Sequence, residues 1–330
     1  MPFARTLAIT ALASSLSIAL IGTGKAASLG ELDAMAITAK YVQSQHVSAR
    51  TGSRAAPFGD SGFAASVDPA FRSMVKLQMR YEVGGGKTMT EHCGGTVISS
   101  RWIVTAAHCV SSADGTPWDR IDITAGDRDL DGNTRIRRTA FDAIVHAGFD
   151  YATLTNDIAL IRLNEPLPRE VTPATMDTEA SPSVHLDGIA RAAGWPVTGA
   201  KAGARQLQTV ALSVVDITIP GYITVASAHA GNNGVCQGES GGPLMSEMHG
   251  MRRLAGVLSG IEPNSADHTG QPCMKAGYEM YFTPIAAFRD WIDGVRDFCD
   301  GAPDACKGGH ALIARRAGKA PWAATLRLQD

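Results

Sequence analysis

Net charge, aromatic side chains and long apolar runs are all scarce in this 330-residue chain. A formal charge of −2 leaves no electrostatic footprint for nucleic acid or an anionic membrane surface. Aromatics are only 6% of the residues while glycine reaches 35, a balance suited to many short strands joined by tight turns. Charged residues are 19% against 45% hydrophobic, which excludes general disorder and allows a sizeable core. No two cysteines stand at C-x-x-C spacing, so zinc and redox centres are disfavoured, and neither a metal nor a cofactor is expected. No internal repeat or low-complexity tract is present. The one strong apolar run, residues 7–21, is shorter than the ~20 residues of a helical membrane span.

That run follows Arg5 and precedes Gly22-Thr23-Gly24-Lys25-Ala26-Ala27. A basic start, an apolar centre and small residues at Gly24 and Ala26 predict a signal peptide over residues 1–26, with no membrane span left after its removal. The expected location is therefore secreted or periplasmic. In an oxidising compartment the six cysteines Cys93, Cys109, Cys236, Cys273, Cys299 and Cys306 are expected to form disulfides. Six cysteines allow about 15 pairings; proximity along the chain favours Cys93 with Cys109 and Cys299 with Cys306, leaving Cys236 with Cys273.

Residues 27–62 suit a pro-segment or N-terminal arm, helical over residues 28–45, with Arg50 and Arg54 as exposed processing points in a small, polar stretch. Strands follow from Phe71 onward: residues 74–78, then 96–98 and 102–105 around a Ser99-Ser100-Arg101 turn, then 121–125 in strict alternation. Residues 157–163 are apolar on both faces, 206–215 form another run, and two more flank a turn at residues 247–250. Short strands at this spacing predict a sandwich or barrel. Phe288, Trp291, Ile292 and Val295 recur at i, i+3, i+4 and i+7, which predicts one helix near the end.

Three segments carry the chemistry. In Thr105-Ala106-Ala107-His108-Cys109, a histidine, the side-chain type suited to general-base work, follows a strand end that a bridge at Cys109 would tether in one orientation. In Asn156-Asp157-Ile158-Ala159-Leu160, an acid heads an apolar strand, where its carboxylate can be buried against an imidazole and hold its tautomer. In Gly238-Glu239-Ser240-Gly241-Gly242-Pro243, glycines permit a tight turn that aims the N–H groups of Gly238 and Ser240 at a developing oxyanion.

Thr-Ala-Ala-His-Cys, Asp-Ile-Ala-Leu and Gly-x-Ser-Gly-Gly-Pro, in that order, resemble the trypsin/chymotrypsin-like serine peptidases over roughly residues 63–298. Gly194-Trp195, the run from Leu254 to Gly260, and Trp291-Ile292 fit the same pattern. The resemblance implies an all-β fold: two packed antiparallel six-stranded β-barrels with a C-terminal α-helix. It implies a serine endopeptidase acting on protein or peptide substrates, with His108, Asp157 and Ser240 as catalytic triad and Gly238 and Ser240 as oxyanion hole. It also implies the bridges Cys93–Cys109 and Cys236–Cys273. Residues 63–298 are then the peptidase domain and residues 299–330 a C-terminal extension, and the chain is expected to be made as a zymogen. No oligomeric state is implied.

The chain departs from the family at several places. Glu239 stands where an aspartate is usual, and no Ile-Val-Gly-Gly start occurs near residues 60–63, where the free α-ammonium that pairs with that aspartate would arise. Activation is therefore expected to be altered, with Glu239 turned to another partner such as a basic side chain. Gly234 lies at the base of the implied substrate pocket, and Ser259, Gly260 and Ile261 at its wall. Without an acid at 234, Lys/Arg preference loses its charge partner, and Ile261 narrows the opening, so small or medium apolar side chains are expected at the cleavage site. Residues 127–132, Asp-Arg-Asp-Leu-Asp-Gly, resemble the start of a calcium loop, but Arg138 replaces the twelfth-position glutamate, and a solvated acidic turn is expected. His92 and His146 are read as surface or core residues.

Two rivals remain. Gly-x-Ser-x-Gly also occurs in α/β-hydrolase esterases, but there a strand precedes the serine, a helix follows it, and the histidine comes last. A catalytically impaired homologue acting as a secreted binding protein is the other.

Overall fold

The computed structural model describes residues 69–306 apart from 83–87, 112–117, 127–134, 179–182, 196, 199–201, 204–206, 219–220, 228–238, 249, 263–278 and 304–305. The expected signal peptide, the arm over residues 27–62, the calcium-like loop and most of the C-terminal extension lie outside the described residues.

The strands form two closed antiparallel barrels, as the resemblance implies. The first takes β1 (Met74–Glu82), β2 (Thr88–Ser99), β3 (Trp102–Thr105), β4 (Arg120–Ala125), β5 (Ile136–Val145) and β6 (Ala159–Leu163), in the order β1-β2-β3-β6-β5-β4. The second takes β7 (Ile189–Gly194), β10 (Gln208–Ile217), β11 (Ile223–Ser227), β12 (Pro243–Met248), β13 (Met251–Glu262) and β14 (Glu279–Pro284), in the order β10-β11-β14-β13-β12-β7. Between β7 and β10 the short β8 (Val197–Thr198) and β9 (Ala202–Gly203) pair with each other. Every pairing between these named strands is antiparallel, which excludes the parallel sheet of an α/β-hydrolase.

Alternation explains the barrel walls. On β1, Val75, Leu77 and Met79 point into the first barrel and are fully buried, while Lys76, Gln78 and Arg80 point out, as a period of two demands. Ile121, Ile123 and Ala125 do the same on β4. All of β6 is buried, because its outer side is covered as well. The cover is α2 (Arg289–Gly301), which follows the second barrel but packs Trp291, Ile292 and Val295, with Phe288 in the turn just before it, into one cluster with the first barrel's core. Trp102 Nε1 donates to Asp300 Oδ1 at 3.1 Å, fixing the helix end over β3. The helix runs past residue 298 to Gly301, and Cys299 bridges Cys306, so the packed unit extends beyond the expected domain edge.

Several expected boundaries shift. The 247–250 turn narrows, since β12 reaches Met248 and β13 begins at Met251. Asp157 and Ile158 precede β6 rather than opening it, because the Asp157 backbone is held by Thr283 across the barrels. Strands β5, β7, β11 and β14 were not predicted as separate elements. The alternation of β5 is blurred by half-buried positions, and β7 is largely Ala and Gly.

Candidate active site

His108 sits in a single helical turn, α1 (Ala107–Val110), directly after β3. The disulfide Cys93–Cys109 ties that turn to β2. His108 presents its ring at partial exposure, and two of its groups meet one carboxylate: the backbone N–H donates to Asp157 Oδ1 at 2.9 Å, and Nδ1 lies 2.7 Å from Oδ2. A carboxylate only accepts, so Nδ1 carries the proton and Nε2 the lone pair.

Asp157 is fully buried, and a buried carboxylate requires full hydrogen bonding. Ser259 Oγ donates the third bond, to Oδ2 at 2.6 Å, and Thr283 Oγ1 donates to the Asp157 carbonyl at 3.0 Å. The turn delivering Asp157 uses left-handed backbone at Leu154 and Asn156. Asparagine tolerates that conformation better than most residues, and here its Nδ2 also donates to Gly148 O at 2.8 Å. Tyr222 closes this side, its hydroxyl donating to Leu154 O at 2.6 Å. Burial pushes the Tyr222 hydroxyl's pKa up; its hydrogen bond with Ser259 opposes this and the Asp157 charge adds to it.

Ser240 stands on the turn entering β12. Its carbonyl accepts from Gly94 N at 2.7 Å, Gly241 N donates to Leu258 O at 2.8 Å, and Gly242 N donates to Glu239 O at 2.9 Å. Gly241 has φ +78°, and a Cβ there would collide with Thr105 Oγ1 and lie 2.5 Å from Gly94 O. The turn is thus pressed against the end of β3, three residues before His108. Of the two links a Ser-His-Asp relay needs, the structure closes His108–Asp157. His108 Nε2 faces Cys109 Sγ at 3.8 Å, and no hydrogen bond joins it to Ser240 Oγ. Such links commonly close only around substrate.

Glu239 is buried at 5% exposure, and its carboxyl occupies the space a side chain at Gly194 would need. That is the physical reason for glycine in Gly194-Trp195.

The remaining expected site residues divide. Gly238, Gly234, Cys236 and Cys273 lie outside the described residues. Ser259, read as pocket wall, turns its buried hydroxyl to Asp157. Ile261 packs half-buried against the second barrel's core. Gly260 has room beside it, with Leu154 Cδ1 3.6 Å from a Cβ position. Sequence reasoning missed Thr283, Tyr222 and the role of Ser259, none of which carries a local signal. Cys93, His108 and Cys109 bring ligand atoms within 4.8 Å of one another, but both sulfurs are oxidised in a disulfide and offer no thiolate to a metal.

A comparison with family models matches Trypsin over residues 60–292. Among curated proteins, the chain is 32% identical over 227 residues to CLIP domain-containing serine protease B4 of Anopheles gambiae, covering 61% of each. It is 28% identical to coagulation factor IX of Cavia porcellus, covering 60% of this chain and 71% of that one. Brachyurin of Leptuca pugilator is 32% identical, over 61% of this chain and 85% of its own. The match therefore spans less than two thirds of the mosquito protein's length.

Proposed function

Because this chain belongs to the Trypsin family, we propose that it is a secreted serine endopeptidase that hydrolyses peptide bonds through an acyl-enzyme. His108 takes the proton of Ser240 and returns it to the leaving amine. Asp157 holds His108 in the productive tautomer and stabilises its cation. Ser240 attacks the scissile carbonyl, and the N–H groups of Gly238 and Ser240 receive the oxyanion. The observation that carries this reading is the buried Asp157 carboxylate, bonded by both donors of His108 beside a serine turn stitched to Gly94. Burial fixes the imidazole in one orientation, and orientation is what this chemistry needs. The disulfides Cys93–Cys109 and Cys299–Cys306 support export to an oxidising compartment. With Gly234 at the pocket base, preference falls on small or medium apolar side chains rather than Lys or Arg.

The test is labelling of Ser240 by a fluorophosphonate together with a peptide-library cleavage profile. Labelling that His108→Ala abolishes, with cleavage after Ala or Val faster than after Arg, is expected. A purified mature protein that neither labels nor cleaves would instead favour a secreted binding scaffold.

A further inference from the structure

The face of β1 that points out of the first barrel is also where the second barrel's serine turn rests. Met74 begins that face, and its Cε lies 3.3 Å from a Cβ position on Gly94 and 3.5 Å from one on Gly242. Lys76 is the next residue on the same face and pairs directly with Gly94 across β1 and β2. Gly94 in turn donates to Ser240 O and lies 3.0 Å, by its Cβ position, from Gly242 Cα. Lys76 is therefore one cross-strand step from the turn that Glu239 opens. Glu239 is a buried carboxylate whose side chain lies over Gly194 at the end of β7. A carboxylate so placed is stable only with compensating charge or hydrogen bonds.

We propose that Lys76 is the internal counter-charge of Glu239 and so a positioning residue for the Ser240 turn, holding it without a newly released α-ammonium. This rests on the peptidase reading and supplies the basic partner that the departure at position 239 calls for. The charges respond accordingly. Burial pushes Lys76 down to about 8, and the nearby Glu239 carboxylate offsets part of that fall. Facing Lys76 on the same surface are His92, cross-strand from Gln78, and Arg80. His92 is lowered by burial first, then by Lys76 and Arg80, so it is neutral throughout the alkaline range. On β4, Thr124 lies opposite Lys76, and Asp122, opposite Gln78, is engaged by Arg120 and Arg80. The titration above neutral pH on this face is that of Lys76. Its ammonium is present below about 8 and lost above it, so catalysis should fall along an alkaline limb as the pH crosses that value.

The experiment uses the mature wild type with Lys76→Met, Lys76→Arg and Glu239→Gln, each checked for a cooperative thermal transition. In Lys76→Met, kcat/KM at pH 7 should fall by about 10²-fold or more, the loss typical of a misplaced oxyanion donor. Lys76→Arg, whose guanidinium does not deprotonate, should restore most activity and move the alkaline limb upward. Lys76→Met activity within about threefold of wild type, or a rise, would overturn the proposal; a rise would mean the pair restrains the turn. A second readout is independent of catalysis: NMR titration of 13C-labelled lysine should show Lys76 near 8 in wild type and lower in Glu239→Gln. An unchanged Lys76 titration would overturn the pairing even in a folded, inactive protein, whereas an inactive wild type that shows the shift would count against the peptidase reading alone.

Discussion

The two barrels contribute to the site in different ways. The first supplies His108 and Asp157 from segments next to strand ends, each fixed by neighbours in its own barrel. The Cys93–Cys109 bridge secures one and the Asn156–Gly148 bond the other. The second supplies the Ser240 turn, and that turn is held from both sides: Leu258 of its own barrel bonds Gly241 N and Gly242 O, and Gly94 of the first barrel bonds the Ser240 carbonyl. The second barrel repays the contact at a different point: Ser259 and Thr283 reach across to Asp157. The acid is thus the residue where both barrels meet most fully, and the nucleophile's turn meets the first barrel at Gly94.

The largest effect expected from this contrast is at Asp157. Replacing it with asparagine keeps the shape but offers an amide N–H₂ where His108 Nδ1–H and the Ser259 hydroxyl now donate. The imidazole would then present the wrong tautomer to Ser240, and kcat should fall by about 10⁴-fold in stopped assays on a peptide ester. A loss smaller than about tenfold would break the claim that the acid is the joint of the two halves.

A second expectation concerns stability, where the first barrel is again the distinctive one. His146 is buried between Phe288 and Trp291, at 5.1 Å from each ring, where the terminal helix crosses that barrel. Burial pushes it down from 6.5 to about 4. Between those values the unfolded chain binds a proton that the folded chain refuses, so stability is full above pH 6.5 and lost as the pH falls toward 4. At about 1.4 kcal/mol per pH unit of displacement, the loss amounts to about 3 kcal/mol. Urea unfolding followed by tryptophan fluorescence at pH 7 and pH 4 should show it, and His146→Phe should flatten it. A wild-type midpoint that does not move over this range would place His146 outside the packed core.

What the sequence disclosed follows the same division. Thr105-Ala106-Ala107-His108-Cys109 and Asn156-Asp157 are contiguous, and their geometry is set by a strand end, a disulfide and a left-handed asparagine, all local causes. The six-strand barrels were legible through the family resemblance, but β7 and β14 were not read individually. An Ala-rich strand and one placed by long-range register carry little periodic signal. The bond from Ser259 to Asp157 was missed for a similar reason. Its segment, Leu254 to Gly260, was recognised as lining substrate, yet whether a hydroxyl on it faces substrate or Asp157 depends on a residue 102 positions away.

The smallest effect discriminates most finely. Ser259→Ala removes one of three donors to the Asp157 carboxylate while both His108 bonds remain. A hydrogen bond to a charged group contributes about 1.5–3 kcal/mol, and partial replacement by water brings the effect on kcat to about tenfold. Because Ser259 acts through Asp157, its effect should largely vanish in an Asp157→Asn background, a non-additivity that a double-mutant cycle measures directly. Its side chain faces the acid rather than substrate, so the ratio of kcat/KM for Ala and Val peptides should stay constant in the single variant. An altered ratio with unchanged kcat would return Ser259 to the pocket wall and leave the second barrel joined to the acid by Thr283 alone.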